Sequence, residues 1–427
     1  MKQKHTILPL EQSVSSHQMA TLPNGIRVVH RQVPYTKIAH CGFVLNIGSR
    51  DEKPNQLGLA HFWEHMAFKG TQKRKAFHIL NSIDAVGGEL NAYTTKEKIC
   101  FYASFLDVYF EKAVELLTDI TFHSTFPENQ IDRERNVILE EMAMYADSPD
   151  DSLQDDFDAL VFQNHPLGTN ILGTQDSIKQ FGKQDFQQFI AENLDTSEVI
   201  FASVGNFPFS KALKIAEKYI QAILPSKAKR RRQKFEQYLP THKTQNISTG
   251  QAYCAMGLPA FSLYDERRTV FGLLVNLLGG PGMNSRLNLN LRERHGLVYG
   301  VEAAYTPFLD TGLFGIYFNT EPKQLEKSIQ LIWKEIKTLK EQKLGVVQLQ
   351  QAKDQLCGQL AMAEESNLNY MLMMGKSMLD LGKIEPIEQI FEAIQQITAT
   401  AICDLANEIW SEDKFCVLKY IPEENVL

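Results

Sequence analysis

Hydrophobic and polar positions follow the same pattern in two distant stretches of the chain. Residues 101–120, FYASFLDVYFEKAVELLTDI, alternate as a strand does and then take the spacing of an amphipathic helix. Residues 314–336, FGIYFNTEPKQLEKSIQLIWKEI, repeat this order at an offset of 213 to 215 residues. Because solenoid repeats have periods of only about 20 to 50 residues, a repeat on this scale predicts a duplicated α/β domain.

Both halves also begin alike, with a strand-like segment that leads into a long helical pattern. These segments are HCGFVLNIGS from residue 40 and QAYCAMGLPA from residue 251, and helix pairs are predicted at 347–381 and 387–409. The predicted fold class is α+β, with two homologous α/β domains in each of which a sheet packs against helices. The predicted division has three parts: a first domain at 1–225, a linker at 226–245 and a second domain at 246–427.

Composition and charge exclude some classes of function. The 427 residues, 44% hydrophobic and 22% charged, are typical of a globular protein of two domains. The net charge of −7 argues against nucleic acid as a partner, because phosphate binding needs a basic face. The basic run SKAKRRRQK at 226–234 is interpreted as part of a solvated linker.

Three further features bear on the location of the protein. No apolar run approaches the roughly 18 to 20 residues that span a bilayer, so no membrane segment is expected. The first twenty residues lack the continuous apolar core of a secretory signal. The six cysteines are scattered without a CxxC pair, which argues against disulfides and against a cysteine-based zinc site. Together these features predict a cytoplasmic protein.

The segment LGLAHFWEHMAFKG, residues 57–70, contains the first candidate chemistry. It predicts a helix with Gly70 as its stop, on which His61, Glu64 and His65 share one face. Two imidazoles one turn apart can bind a single zinc ion, and a glutamate beside them can take a proton from the water that the ion holds. The order HxxEH reverses the commoner HExxH and is a known zinc-peptidase signature. The alternative is an ordinary helix whose histidines are hydrogen-bonded in a core.

A third ligand is predicted from RERNVILEEMAMYADSPDD, residues 133–151. The buried side of this helix is predicted from three aliphatic residues, Val137, Ile138 and Met142. Viewed along the helix axis, Glu141 lies between Val137 and Ile138. Glu134 lies two turns earlier on the same side, whereas Glu140 faces solvent. An inward carboxylate is costly unless it is paired or binds metal. Glu141 is therefore the favoured third ligand, and Glu134 the favoured acceptor that orients a ligating histidine.

With these residues the sequence resembles the pitrilysin/insulinase and mitochondrial processing peptidase family of zinc peptidases. The resemblance rests on HFWEHMAFKGT and on Glu141, which lies 76 positions after the second histidine. It extends over nearly the whole chain through three further segments: GGELNAYTTKEKICFYASF at 87–105, HPLGTNILGTQDSI at 165–178 and GGPGMNSRLNLNLRERHGLVYGV at 279–301.

The resemblance implies a zinc endopeptidase in which two such domains form half of a closed clamshell. It implies one Zn²⁺ per chain and a peptide substrate that adds to the strand containing NAYTT as an extra edge strand, with Asn91 and Ala92 beside the scissile bond. An arginine and a tyrosine seven positions apart would hold the substrate and its oxyanion, and Arg292 and Tyr299 have that spacing. The alternatives without a role in catalysis are a helix-surface charge for Arg292 and a half-buried strand residue for Tyr299.

Many two-domain members of the family divide these parts between two different chains. This chain has both the zinc motif and the arginine–tyrosine pair, so the resemblance implies a homodimer with composite active sites. Glu64, Arg292 and Tyr299 would be catalytic, and the substrates would be short or unfolded peptides. The alternative function is a non-catalytic or partner-dependent subunit of a processing-peptidase-like heterodimer.

Overall fold

The computed structural model describes residues 17–423, and its first unit is built on a six-stranded sheet. The strands are β1 (Gln18–Thr21), β2 (Arg27–Gln32), β3 (Ile38–Leu45), β4 (Glu89–Thr94), β5 (Ile99–Leu106) and β6 (Val199–Gly205). The helices are α1 (Leu59–Ala67), α2 (Ala76–Asp84), α3 (Phe110–Phe122), α4 (Glu128–Ala146), α5 (Pro149–Val161), α6 (Gln175–Gln180), α7 (Lys183–Asn193) and α8 (Phe209–Tyr219).

The second unit is built on a five-stranded sheet. Its strands are β7 (His242–Ile247), β8 (Ala252–Ala260), β9 (Val298–Pro307), β10 (Gly312–Thr320) and β11 (Cys416–Pro422). Its helices are α9 (Arg268–Gly279), α10 (Leu325–Glu341), α11 (Val346–Glu365), α12 (Asn367–Asp380), α13 (Ile387–Gln396) and α14 (Ala399–Ile409), and a π-helix spans Asn288–Arg294.

The two sheets have matching topologies, which confirms the predicted duplication and the α+β class. The first has the order β1-β2-β6-β3-β5-β4 and the second β7-β11-β8-β10-β9. Apart from β1, which is antiparallel to β2 and is an extra strand of the first sheet, each order begins with one parallel pair (β2 with β6, β7 with β11) and continues as an antiparallel series. β4 and β9 occupy the same edge position in the two copies. β7 begins at His242, and the predicted domain limits at residues 225 and 246 stay a prediction.

Helix α12 of the second unit lies across the sheet of the first unit. Its Met371, Met374 and Met378 are buried in one cluster with residues of β3 and β6. At Gly375 the helix comes so close that an added Cβ would lie 2.5 Å from Val44 Cγ2. Since α3 packs on β3 and β5 and all seven residues of β6 are buried, the centre of the first sheet is covered on both faces.

The basic run at 226–234 is solvated only in part: Lys227, Lys229, Arg231 and Lys234 are exposed, as predicted, but Arg230 and Arg232 are not. The side chains of Arg230 and Arg232 are only 11% and 13% exposed. Both bind the buried carboxylate of Asp51, with Arg232 Nη2 lying 2.7 Å from Oδ2 and Arg230 Nε lying 3.2 Å from Oδ1. The run is therefore attached to the first unit through Arg230 and Arg232, whose charges are compensated by a carboxylate about 180 positions away in the sequence.

Two predictions about membranes and export have different outcomes. Between His17 and Glu423, no helix combines the length and the apolar character that crossing a bilayer requires. The prediction that the chain begins without a secretory signal concerns residues 1–20, and residues 1–16 lie outside the part of the chain that the structure describes.

Candidate metal centre

Helix α1 carries the histidine motif, and packing holds one of its faces in place. Phe62 and Trp63 are fully buried. Phe62 meets Phe186 edge to face with ring centroids 5.1 Å apart, and Trp63 lies 6.1 Å from Phe101 of β5. Burial of each such side chain stabilises the fold by about 1.5–3 kcal/mol. The motif is therefore mounted on the core of the first unit.

The start of α1 is held by the buried carboxylate of Glu52. The main-chain N–H of Gly58 donates to Oε2 at 2.9 Å and that of Ala60 donates to Oε1 at 2.7 Å. These bonds satisfy donors that have no partner within the helix. Gly58 has φ of +90°, in the left-handed region that favours glycine. The helix ends at Ala67, three residues before the predicted stop at Gly70.

His61, His65 and Glu141 converge on one point. One ligand atom from each lies within 4.8 Å of the other two. His61 Nε2 and His65 Nε2 lie 3.9 and 3.6 Å from Glu141 Oε2, and the two imidazole rings lie 4.5 Å apart. The structure thus brings together the three residues predicted as metal ligands, two from α1 and one from α4.

Glu134, the predicted orienting residue, also lies at this site. His65 Nδ1 donates to Glu134 Oε1 at 3.0 Å, and Lys69 Nζ lies 2.7 Å from Oε2. Burial opposes the ionisation of Glu134, but the hydrogen bonds from His65 and Lys69 outweigh it and lower the pKa of the carboxyl. Because Nδ1 of His65 is the donor to Glu134, Nε2 is left with a lone pair that faces Glu141.

One prediction about α4 is wrong. Val137 is 46% exposed instead of buried. The core side of the helix is formed by Ile131, Glu134 and Ile138. The buried face is therefore centred on Ile131, Glu134 and Ile138, and Val137 lies outside it, whereas Glu134 is on the inward side, as predicted. Glu140 is exposed, as predicted, and Glu141 lies at the margin of the core, where its side chain is 24% exposed.

The donor set fits a zinc ion. Two neutral imidazoles and one carboxylate are the ligands of many catalytic zinc sites, which bind the metal at about 2.0–2.2 Å and leave one position open. Burial and the neighbouring His65 lower the pKa of His61 to about 3, which keeps its imidazole in the neutral form that a ligand needs. His61 Nδ1 is buried and has no hydrogen-bond partner among the described residues.

Glu64 lies on α1 between the two histidines. Its Oε2 accepts a hydrogen bond from Thr94 Oγ1 at 2.6 Å. Burial raises the pKa of the Glu64 carboxyl, although the Thr94 bond acts in the opposite direction. Glu64 is not one of the three residues whose ligand atoms converge. A carboxylate beside a metal site, but outside its ligand set, is placed to exchange protons.

Asn91 and Ala92 lie on β4, the edge strand of the first sheet. Thr95 N donates to Lys98 O at 2.7 Å, so these two form a hydrogen-bonded pair at the β4–β5 turn. Such pairs alternate along an antiparallel ladder, so the main-chain groups of Ala92 and Thr94 point to the free edge. There the Ala92 N–H donates to Oδ1 of Asn91 at 2.8 Å.

Arg292 and Tyr299 lie together but apart from the ligand cluster. Arg292 belongs to the π-helix, Tyr299 to β9, and the guanidinium carbon lies 5.7 Å from the tyrosine ring. Both line a cavity of about 450 Å³ that also includes Asp150 and Gln154 of α5 but none of the three converging ligands. Tyr299 is 83% exposed, so it is not a half-buried strand residue, as the non-catalytic alternative requires.

Two residues of this site were not predicted from the sequence. Thr94 could have been found from the alternation of β4, since it lies two positions after Ala92 and so shares its face. Glu52 had no local signal, because it lies in a loop and reaches α1 only through the fold.

Comparison with known proteins gives the family. Residues 27–175 match the family model described as insulinase (peptidase family M16), and residues 180–356 match the one described as peptidase M16 inactive domain. A Bacillus subtilis protein named "uncharacterized zinc protease YmxG" is 33% identical over 393 residues, 92% of this chain and 95% of the relative. A Streptomyces coelicolor protein, also named an uncharacterized zinc protease, is 32% identical over 416 residues, 95% of this chain and 89% of the relative.

Two solved structures share the fold. A structure described as a peptidase M16 inactive domain from Pseudomonas fluorescens superposes with a TM-score of 0.86 at 21% identity, covering 95% of this chain and 98% of that one. A protease from Helicobacter pylori gives a TM-score of 0.86 at 19% identity, covering 95% and 99%. The fold is that of a duplicated α+β protein of the peptidase M16 type. The chain belongs to the insulinase family of peptidases, family M16, which confirms the resemblance seen in its motifs.

Proposed function

We propose that the protein is a zinc-dependent endopeptidase that hydrolyses short or unfolded peptides. The observation that carries the proposal is the convergence of His61, His65 and Glu141 within 4.8 Å, with Glu64 on the same helix face. The names of the relatives from Bacillus subtilis and Streptomyces coelicolor support zinc as the metal. The two imidazoles and the carboxylate would hold one Zn²⁺ per chain, which when bound supplies Lewis acidity for the scissile carbonyl and for the attacking water.

Glu64 is assigned the role of general base and acid. Its free carboxylate oxygen accepts a proton from the water as the water oxygen bonds to the carbonyl carbon. The same proton then passes to the amine nitrogen as the C–N bond breaks. Peptide and water are thereby converted to a carboxyl and an amino terminus, and Glu64 returns to its starting state. Glu134 keeps His65 in the tautomer that the ligand role requires.

The substrate is proposed to bind as an added strand on β4. The main-chain groups of Ala92 and Thr94 face the free edge, where an extended peptide can form ladder bonds. Because the Ala92 N–H is bonded to the Asn91 side chain, that side chain has to turn aside when a peptide pairs. Recognition through the main chain favours varied sequences, and the closed chamber of the family favours peptides over folded proteins.

The active site is proposed to be completed by a second copy of the chain. Arg292 and Tyr299 share a cavity that contains none of the three metal ligands of the same chain, and the exposed Tyr299 is free to reach another molecule. In a homodimer, these two side chains of one copy would hold the oxyanion formed at the metal of the other copy.

The proposed location is the cytoplasm. The unpaired state of all six cysteines is consistent with it.

The decisive experiment compares zinc content and the cleavage of a fluorogenic peptide library for wild type, Glu64→Gln and Glu140→Gln. We expect one zinc per chain in all three and turnover in wild type and in the Glu140 control, with almost none in Glu64→Gln. Full turnover in Glu64→Gln would exclude Glu64 as the base. Zinc without turnover in every form would instead favour the alternative, a non-catalytic or partner-dependent subunit of a heterodimer.

A further inference from the structure

Thr94 lies where the free edge of the first sheet meets the proposed base. Its main-chain groups point to the edge, in the alternation set by the Thr95–Lys98 pair. Its side chain points to α1, where Oγ1 donates to Glu64 Oε2 at 2.6 Å. One residue therefore borders both the place where a peptide would pair and the carboxylate that would receive the proton.

The hydrogen bond from Thr94 makes the two oxygens of the Glu64 carboxylate inequivalent. Its length is in the range of about 2.5–2.7 Å that hydroxyl donors show to ionised acceptors. Within residues 17–423, Oε2 accepts from Thr94 and Oε1 has no hydrogen-bond partner. A carboxylate tied at one oxygen turns less freely about its last side-chain bond. The free oxygen is therefore held in one direction, as proton transfer requires.

The end of β4 that carries Thr94 is itself fixed. The turn that follows it has three consecutive charged residues, whose side chains are only 7%, 6% and 11% exposed. Each forms an ion pair, at N–O distances of 3.3, 2.6 and 2.9 Å: Lys96 with Asp158, Glu97 with Arg50, and Lys98 with Asp380. The partners lie on α5, on the turn before α1 and on α12. Because the strand is held from three directions, the Thr94 hydroxyl has a defined position.

We infer that Thr94 is a positioning residue for Glu64, which directs the free carboxylate oxygen towards the proton of the attacking water. This inference rests on the proposed function, because Thr94 acts only through Glu64. It assigns the hydroxyl to the chemical step and the main chain of the same residue to peptide pairing. Removal of the hydroxyl alone should therefore lower kcat and leave KM unchanged.

The test uses substitutions that separate the hydroxyl from the rest of the side chain. Thr94→Val keeps the shape and removes the hydroxyl, whereas Thr94→Ser keeps the hydroxyl and removes the methyl group. We expect Thr94→Val to lower kcat about ten- to a hundredfold, the effect of losing a hydrogen bond to a charged group. KM and the zinc content should stay within about twofold of wild type, and Thr94→Ser should restore most of kcat. Thr94→Ala and Thr94→Ser form a second pair that differs only in the hydroxyl.

Other results would overturn the inference. Wild-type kcat in Thr94→Val, or a rise in KM with kcat intact, would show that the hydroxyl does not act on Glu64. Equal losses of kcat in Thr94→Val and Thr94→Ser would assign the effect to packing. Circular dichroism spectra and melting curves that match those of wild type would show that each variant is folded. Glu64→Gln in the same series separates the two proposals. An active Glu64→Gln overturns both, whereas an inactive Glu64→Gln beside a fully active Thr94→Val overturns only this inference.

Discussion

Arg50 of the first unit and Asp310 of the second form a two-point ion pair, with Nη1–Oδ1 and Nη2–Oδ2 distances of 2.6 and 2.7 Å. The Arg50 side chain is 1% exposed, and its Nη1 also lies 2.6 Å from Glu97 Oε1. The pair joins the two units beside the turn that carries Lys96 and Lys98. Removal of one member of such a pair leaves a buried charge with fewer partners, which is strongly destabilising.

We therefore predict that Asp310→Asn lowers the free energy of unfolding by about 3 kcal/mol. Urea denaturation followed by circular dichroism measures this difference. Asp132→Asn is the matched control, because Asp132 pairs with Arg135 on the surface and its side chain is 71% exposed. That variant should unfold as wild type does. Equal midpoints for both variants would show that the Arg50–Asp310 pair does not stabilise the joint between the units.

A second prediction concerns the residue that orients His65. Glu134→Ala should weaken zinc binding about 10- to 100-fold, because the Nδ1–H of His65 loses its acceptor and the ring loses its fixed orientation. Competition with a chromogenic chelator measures the dissociation constant. Glu140→Ala, on the exposed side of the same helix, should bind zinc as wild type does. An unchanged affinity in Glu134→Ala would mean that the bond from His65 to Glu134 plays no part in metal binding.

The composite active site predicts complementation between two inactive chains. Glu64→Gln lacks the base and Tyr299→Phe lacks the oxyanion donor, so each alone should be inactive. After exchange of subunits at equal amounts, half of the dimers are mixed and one of the two sites in each mixed dimer is intact, so about a quarter of wild-type activity should return. Differently tagged chains would verify the exchange. Verified exchange without any recovered activity would contradict a site shared between two copies.

Asp158 on α5 predicts a pH dependence of stability. Burial raises the pKa of this carboxyl from 3.8 to about 6, although the charge of Lys96 acts against the shift. Between about pH 4 and 6, the folded chain then binds more protons than the unfolded chain. The stabilisation from this group is therefore complete below about pH 4 and is lost as the pH rises through 6, by about 2–3 kcal/mol in all.

Asp158→Asn removes this titration. The free energy of unfolding of the variant, relative to that of wild type, should increase as the pH rises from 4.5 to 7.5. Urea denaturation at several pH values measures this difference. The difference between the two chains isolates Asp158 from the other groups that titrate in this range. A difference that stays constant with pH would show that the pKa of Asp158 is the same in the folded and unfolded chains.

Two helical glycines predict opposite effects of the same substitution. At Gly375 an added Cβ would lie 2.5 Å from Val44 Cγ2, whereas at Gly358 of α11 it would have no neighbour within 4 Å among residues 17–423 apart from the backbone of its own helix. Gly375→Ala should destabilise the protein by about 1–3 kcal/mol through overpacking. Gly358→Ala should stabilise it by up to about 1 kcal/mol, because alanine is the better helix former. Thermal melting of both variants tests this, and a stabilised Gly375→Ala would refute close packing between α12 and the first sheet.

Much of the fold could be predicted because its signals are local or repeated. The strand and helix patterns at 101–120 and 314–336 recur in both copies, and the matching sheets follow from that repetition. His61, Glu64 and His65 were found from their HxxEH order and from the helical period, both of which lie within five residues. Glu141 needed its apolar surroundings as well. The prediction for Val137 failed because the apolar pattern of α4 is short and does not fix the centre of the buried face, which lies on Ile131, Glu134 and Ile138.

The features that were missed depend on residues far apart in the sequence. Arg232 finds Asp51 across about 180 positions, so its charge gives no local sign of burial. Glu52 caps α1 from a loop, and Thr94 meets Glu64 only because β4 lies beside α1. Contacts of this kind are made by the tertiary fold, and no window of neighbouring residues contains them.

The position of α12 limits how the gene can be divided. The helix is encoded in the second repeat, yet three of its four methionines, Met371, Met374 and Met378, are buried against the sheet of the first. A fragment that ends before residue 367 would leave the strip of β3 and β6 beneath them open to water, and it would be expected to aggregate. The two halves of the polypeptide are homologous, but they are no longer independent modules. The first half lacks part of the apolar surface that covers its own sheet, because that surface is supplied by α12 of the second half.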